Sequence, residues 1–119
     1  MFVRKGREII FTGRVEAAYT FRHRFKGLML QKTFPEEFDA LVLVPCNAIH
    51  TMFMRFAIDV VFLNKNNEII ALYPSLPPWR VTPPCREAKT ALEFKNGTID
   101  SFRLACGEKL HWKEEKVSD

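Results

Sequence analysis

The chain has 119 residues, 47% of them apolar, with 11 Phe, 2 Trp and 2 Tyr. That is enough for one domain with a real core, and it excludes wholesale disorder, a collagen-like repeat and a disulfide-packed miniprotein. Eighteen basic against 14 acidic residues leave a net charge of +4, too mild to argue for a nucleic-acid partner.

No apolar run approaches the ~18 residues of a membrane helix. The opening Met-Phe-Val-Arg-Lys-Gly-Arg has neither the apolar stretch nor the small-residue cleavage site of a secretory signal, so a cytoplasmic location is expected. Cys46, Cys85 and Cys106 are widely spaced and form no CxxC pair, which predicts three free thiols, mostly packed as small apolar residues.

In chain order, residues 7–19 alternate loosely and predict one or two strands, with Gly13 allowing a bend or bulge. Residues 20–32 read as a short helix capped by Thr20, and Phe34-Pro35-Glu36-Glu37 as one helical turn. The basic cluster Arg22-His23-Arg24-Phe25-Lys26 fits a solvated helix face or a contact with phosphate. Ala40–Val44 is a short apolar run ended by Pro45. Ile58–Leu63 and Glu68–Tyr73 flank the polar turn Asn64-Lys65-Asn66-Asn67, which predicts a β-hairpin. Five of the seven prolines fall within 74–84, an extended loop in which Trp79 is expected to anchor by packing. Ala88–Phe94 and Glu108–Trp112 complete the strands, with a helical turn at Thr98–Arg103 and a charged, fraying tail from Lys113. The expected architecture is a single domain over 1–112. It is mainly β (β-rich α+β), a small barrel-like antiparallel or mixed sheet with short peripheral helices.

The segment from Pro45 to Asp59 places Cys46, His50, Thr51, Arg55 and Asp59 among large apolar residues. Such groups are buried cheaply only if they pair or bind something. Two readings stand for Arg55 and Asp59. They form an internal ion pair at the bend before the hairpin, or they belong to a polar site where Arg55 takes a carboxylate or phosphate in bidentate fashion. Cys46 and His50, four apart, read as a packed thiol and a backbone-bonded imidazole, as an activated nucleophile, or as half of a zinc site needing further ligands. Met29, Met52 and Met54 read as core filling rather than soft-metal ligands.

Three stretches together resemble the small uncharacterised proteins grouped as domain of unknown function 192. They are Phe25-Lys26-Gly27-Leu28-Met29, the run from His50 to Leu63, and Ala91-Leu92-Glu93-Phe94-Lys95-Asn96-Gly97, joined by Trp79-Arg80. Phe53 stands where similar sequences carry Trp, and Ala57 where proline is common. The resemblance implies a compact β-rich fold with short peripheral helices and no established activity. Many similar proteins look exported, a location that does not transfer to this chain. The resemblance carries over His50, Thr51, Met54, Arg55 and Asp59 as a candidate site, with Glu93 a weaker addition.

The leading expectation is a non-enzymatic module that binds a small polar or anionic ligand, or a partner protein, through His50, Thr51, Met54, Arg55 and Asp59, with Trp79 as a wall. A thiol- or metal-dependent enzyme using Cys46 and His50 is one alternative, and a structural or assembly factor the other. No cofactor is assigned.

Overall fold

The computed structural model describes residues 1–18 and 32–114. Its strands are β1 (Phe2–Lys5), β2 (Glu8–Gly13), β3 (Val15–Ala18), β4 (Ala40–Leu43), β5 (Ile58–Leu63), β6 (Ile69–Leu76), β7 (Thr90–Lys95) and β8 (Lys109–Glu114). A five-residue helix, α1 (Thr98–Phe102), separates β7 from β8. The expected helix at 20–32 and the Phe25–Met29 stretch lie outside the described residues. Residues 34–37 form bends rather than the expected helical turn.

The mainly-β expectation holds at the level of a mixed α+β domain rich in strand, but no sheet closes into a barrel. Two open sheets form instead, β1-β2-β8 and β3-β4-β7-β5-β6. Gly13 sits at the break between them. A Cβ there would meet the Phe11 ring at 2.7 Å and Asp39 Oδ2 at 2.9 Å. Glycine alone leaves room for this close approach between β2 and β3. β2 pairs in parallel with β8, and β3 in parallel with β4, so consecutive strands serve different sheets. Backbone hydrogen bonds join the sheets at the Glu68–Lys109 bridge, where Ile69 N–H donates to Glu108 O and Leu110 N–H to Asn67 O.

The hairpin forms as expected. Asn64 Oδ1 accepts the N–H groups of Asn66 and Glu68, and β5 pairs with β6 in antiparallel fashion. β6 runs on through Pro74 to Leu76, further than the proline content suggests. It is an edge strand, so proline's missing donor faces no neighbour. β8 likewise extends to Glu114, into the expected tail.

Cross-strand register sorts the larger sheet into two faces. On one, Ala40, Phe94 and Asp59 form a row, followed by Val42, Leu92, Val61 and Leu72. This face packs against Ile9, Phe11 and Leu110 of the smaller sheet and Ile99 of α1. On the other, Leu41, Glu93, Val60 and Tyr73 form a row beside Leu43, Ala91, Phe62 and Ala71. That face is covered by loop residues including Phe34, Phe38, Cys46, Ile49, Met54 and Phe56.

Each face buries one carboxyl. Asp59 accepts hydrogen bonds from Ser75 N–H (2.9 Å) and Ile99 N–H (2.7 Å), joining a kink in β6 to the first turn of α1. Glu93 is 5% exposed, with no hydrogen bond or ion pair from any described residue, and burial pushes its carboxyl up to about 8.

Two outcomes follow from these carboxyls. Asp59→Asn sets an amide N–H₂ against one of the two backbone donors, and should lower unfolding stability by about 2–4 kcal/mol in urea titration. For Glu93 the native state holds its proton to higher pH than the unfolded chain. Its contribution is therefore complete below about pH 4.5 and is lost as pH rises to about 8, on the order of 3–5 kcal/mol in all. Glu93→Gln should flatten that decline, matching the parent near pH 4.5 and exceeding it near pH 8 in thermal melts.

Candidate binding surface

The loop between β4 and β5 and the proline-rich loop after β6 are tied to each other along their length. Prolines cannot donate, so the second loop finds partners through its few remaining N–H groups and carbonyls. Thr82 N–H donates to Ile49 O at 2.8 Å, while Ile49 N–H donates to Thr82 Oγ1 at 2.9 Å. His50 and Val81 form an antiparallel bridge. Cys85 N–H reaches Asn47 O at 2.7 Å.

Thr51 is the central tie. Its side chain is fully buried, its hydroxyl donates to Pro77 O at 2.6 Å, and it accepts from Arg80 N–H at 2.9 Å. Its N–H donates to Arg80 O at 2.7 Å, and its carbonyl accepts from Trp79 N–H at 2.9 Å and Met54 N–H at 3.1 Å.

These bonds hold two non-glycine residues in the left-handed region, Phe53 and Trp79, each at φ 64°. Such a conformation is costly for bulky side chains and persists only where surrounding contacts impose it. Its effect here is to turn both rings outward. Phe53 is 48% exposed and Trp79 53%, and their ring centroids stand 4.7 Å apart at 58°. Val81, two residues after Trp79, is 70% exposed, and Arg55 and Arg80 are also exposed.

The residues marked in the sequence therefore divide. His50, Arg55 and Trp79 lie on the two loops with at least part of each side chain at the surface. Met52 N–H donates to His50 Nδ1 at 3.3 Å. Thr51 and Met54 are buried, one as the tie and the other in the second apolar cluster. Asp59 points to the opposite face of the sheet, sealed by backbone amides, and makes no ion pair with Arg55. Trp79, expected to anchor its loop by packing, stacks near Phe53 and stays half open to solvent.

Cys46 is buried, and its S–H donates to Ala48 O at 3.1 Å, so the thiol is directed to the loop backbone. Among the described residues no three His, Cys, Asp or Glu side chains gather as metal ligands, and no helix is long and apolar enough to cross a membrane. Phe53, Arg80 and Val81 were not among the expected site residues. Nothing in the sequence signals a left-handed phenylalanine, whereas the pair Trp79-Arg80 is at least a visible aromatic–cation doublet.

Comparison with known proteins gives the fold a wider setting. A UPF0127 protein of Pyrococcus furiosus is 37% identical over 117 residues, covering 92% of this chain and 94% of its own length. One from Thermococcus sibiricus is 37% identical over 122 residues, covering 98% and 77%. The crystal structure of a protein of unknown function from Novosphingobium aromaticivorans superposes with a TM-score of 0.73 at 17% identity, over 91% of this chain and 80% of that one. A structure from Sinorhizobium meliloti does so with a TM-score of 0.69 at 18% identity, over 80% and 78%. The DUF192 family model, described as an uncharacterised ACR, matches residues 2–112, and the chain belongs to that family.

Proposed function

We propose that the protein is a binding module whose recognition surface is the Phe53–Trp79 pair with Val81, flanked by Arg55, Arg80 and His50. Its occupant is a partner protein that offers an apolar pocket rimmed by carboxylates. The observation that carries this reading is the pair of touching aromatic rings turned to solvent on two strained residues. Exposed Trp and Arg in one patch have the composition of interface hot spots, and strain at a surface is retained where it does something.

Charge selects the partner's chemistry. Residues 45–57 and 77–85 contain Arg55 and Arg80 and no Asp or Glu. An acidic rim would meet these guanidiniums, and bidentate carboxylate contacts would set its orientation. Thr51 and Asp59 act behind the surface, holding the loops and the start of β5, and Met54 is buried in the second apolar cluster. The module works in a reducing cytoplasm in this reading, in keeping with three cysteines that form no disulfide with one another.

The test is selection of binders from a random peptide library against the full chain. Selected peptides should combine aromatic or aliphatic anchors with flanking Asp or Glu. Trp79→Ala should weaken them by about 2 kcal/mol, roughly 30-fold. Arg80→Gln should cost less and reduce the salt dependence. Selected peptides without carboxylates, or affinity indifferent to Trp79→Ala, would sink the proposal. Saturable binding of inorganic phosphate that needs Arg55 but not Trp79 would also overturn it, in favour of a small anionic ligand.

A further inference from the structure

A hollow at the start of β4 gathers chemistry that neither the fold nor the Phe53–Trp79 surface uses. It is open to solvent and measures about 460 Å³, within the roughly 300–1,000 Å³ of small-molecule sites. Its apolar lining is Phe34, Pro35 and Phe38, all half-buried. Phe34 meets Phe38 edge to face, with ring centroids 5.6 Å apart at 72°, and meets Phe56 in the same way at 6.3 Å and 73°. Mutual packing of three rings fixes the position of that lining.

The polar lining holds two kinds of charge. Arg14 and Asp39 are tied to each other through main chain and side chain. Arg14 N–H donates to Asp39 Oδ2 at 2.8 Å, Arg14 Nη2 donates to Asp39 Oδ1 at 3.2 Å, and Asp39 N–H donates to Arg14 O at 2.7 Å. Lys95 and Glu36 differ. Both line the hollow and both are exposed. Among the described residues neither forms an ion pair, with the other or with any third group. Lys95 ends β7, and since Phe94 is in register with Ala40, it comes opposite Asp39 just past the β4–β7 pairing. Asp39 is already engaged by Arg14, which leaves the Lys95 ammonium available. The formal charges of the lining cancel, Arg14 and Lys95 against Glu36 and Asp39. An electroneutral hollow does not concentrate a simple anion or a simple cation. It suits a molecule that carries both signs, and the phenylalanine faces add the requirement of an apolar body.

We propose that this hollow binds a free amino acid with a large apolar or aromatic side chain. The α-carboxylate meets Lys95, the α-ammonium meets Glu36, and the side chain lies against Phe34, Pro35 and Phe38. The ligand bridges two opposite charges that the fold presents to one cavity without joining them. The Arg14–Asp39 couple is a fixed polar wall, and neither charge of the ligand has to displace it. This site is separate from the Phe53–Trp79 surface, and either can fail without the other.

Calorimetric titration of the full chain with L-phenylalanine tests the idea, with hydrocinnamate and phenethylammonium as counterparts that each lack one charge. L-phenylalanine should bind saturably and at least about threefold more tightly than either counterpart, the increment expected of a partly solvated charge pair. Two variants separate the charges. Lys95→Gln should weaken L-phenylalanine and hydrocinnamate by about threefold and leave phenethylammonium unchanged. Glu36→Gln should weaken L-phenylalanine and phenethylammonium by a similar factor and leave hydrocinnamate unchanged. Both positions are exposed, so both variants should melt with the parent. Trp79→Ala should bind L-phenylalanine as the parent does, which keeps this result distinct from that of the partner surface. The proposal is overturned if L-phenylalanine shows no saturable binding up to roughly 10 mM, if either counterpart binds as tightly, or if either lysine or glutamate variant binds it unchanged.

Discussion

The constraint behind most of this structure is that β5 is buried on both faces. All six residues from Ile58 to Leu63 are inside, between β6 and β7, with an apolar cluster above and another below. A strand in that position has no route to water for any polar group along it, so each must be satisfied by the protein. Asp59 is the test of that rule. Its two oxygens accept backbone N–H groups from residues 16 and 40 positions downstream. One bond holds the left-handed Ser75 at the β6 kink, and the other terminates the first turn of α1. A carboxylate that reads as chemistry in the sequence is instead the joint between the hairpin and the helix.

That outcome shows what was legible and what was not. Arg55 and Asp59 are four apart in a polar segment, and sequence proximity suggests a pair. Strand alternation decides otherwise, because Asp59 is inside β5 facing the smaller sheet, while Arg55 precedes the strand at the surface. The acceptor's real partners are main-chain amides far along the chain, and amides carry no sequence signature. The hairpin, by contrast, was legible because its signals are local: β-branched runs and an Asn-rich turn whose Asn64 side chain makes the turn bonds. The N-terminal strand β1 was not. Phe2-Val3-Arg4-Lys5 reads as a basic start, and only tertiary contacts give it a role. Phe2 stacks near Phe11, Phe94 and Phe102, while Arg4 bonds Phe102 O and Arg103 O and pairs with Glu108. The close approach at Gly13, between strands of the two sheets, was hidden in the same way. A sequence shows the glycine but not what crowds it.

The same physics explains why the proposed binding surface lies on loops. Strands whose faces are both covered have no side chains to offer a partner. What can be exposed comes from the connections. Here two connections are stiffened by prolines and stitched through Thr51 and Thr82 until they behave as a fixed ribbon. Stiffness lowers the entropy lost on association, so a small patch of two rings and two guanidiniums can serve as a recognition element. The left-handed backbone of Phe53 and Trp79 is the local cost of presenting them.

Asp59 and Glu93 sit one cross-strand row apart in sequence terms but on opposite faces, and the comparison between them isolates the cause of their difference. Phe94, the neighbour of Glu93 on β7, is in register with Asp59 on β5. Both carboxyls are buried to nearly the same extent. One is met by two amide donors from a kink and a helix start. The other faces a side covered by phenylalanines, sulfur-bearing residues and aliphatics, where no described donor reaches it. Burial alone is thus not what makes a carboxyl a joint of the fold. The distinction is whether the fold supplies the donors, and on the loop-covered face it does not.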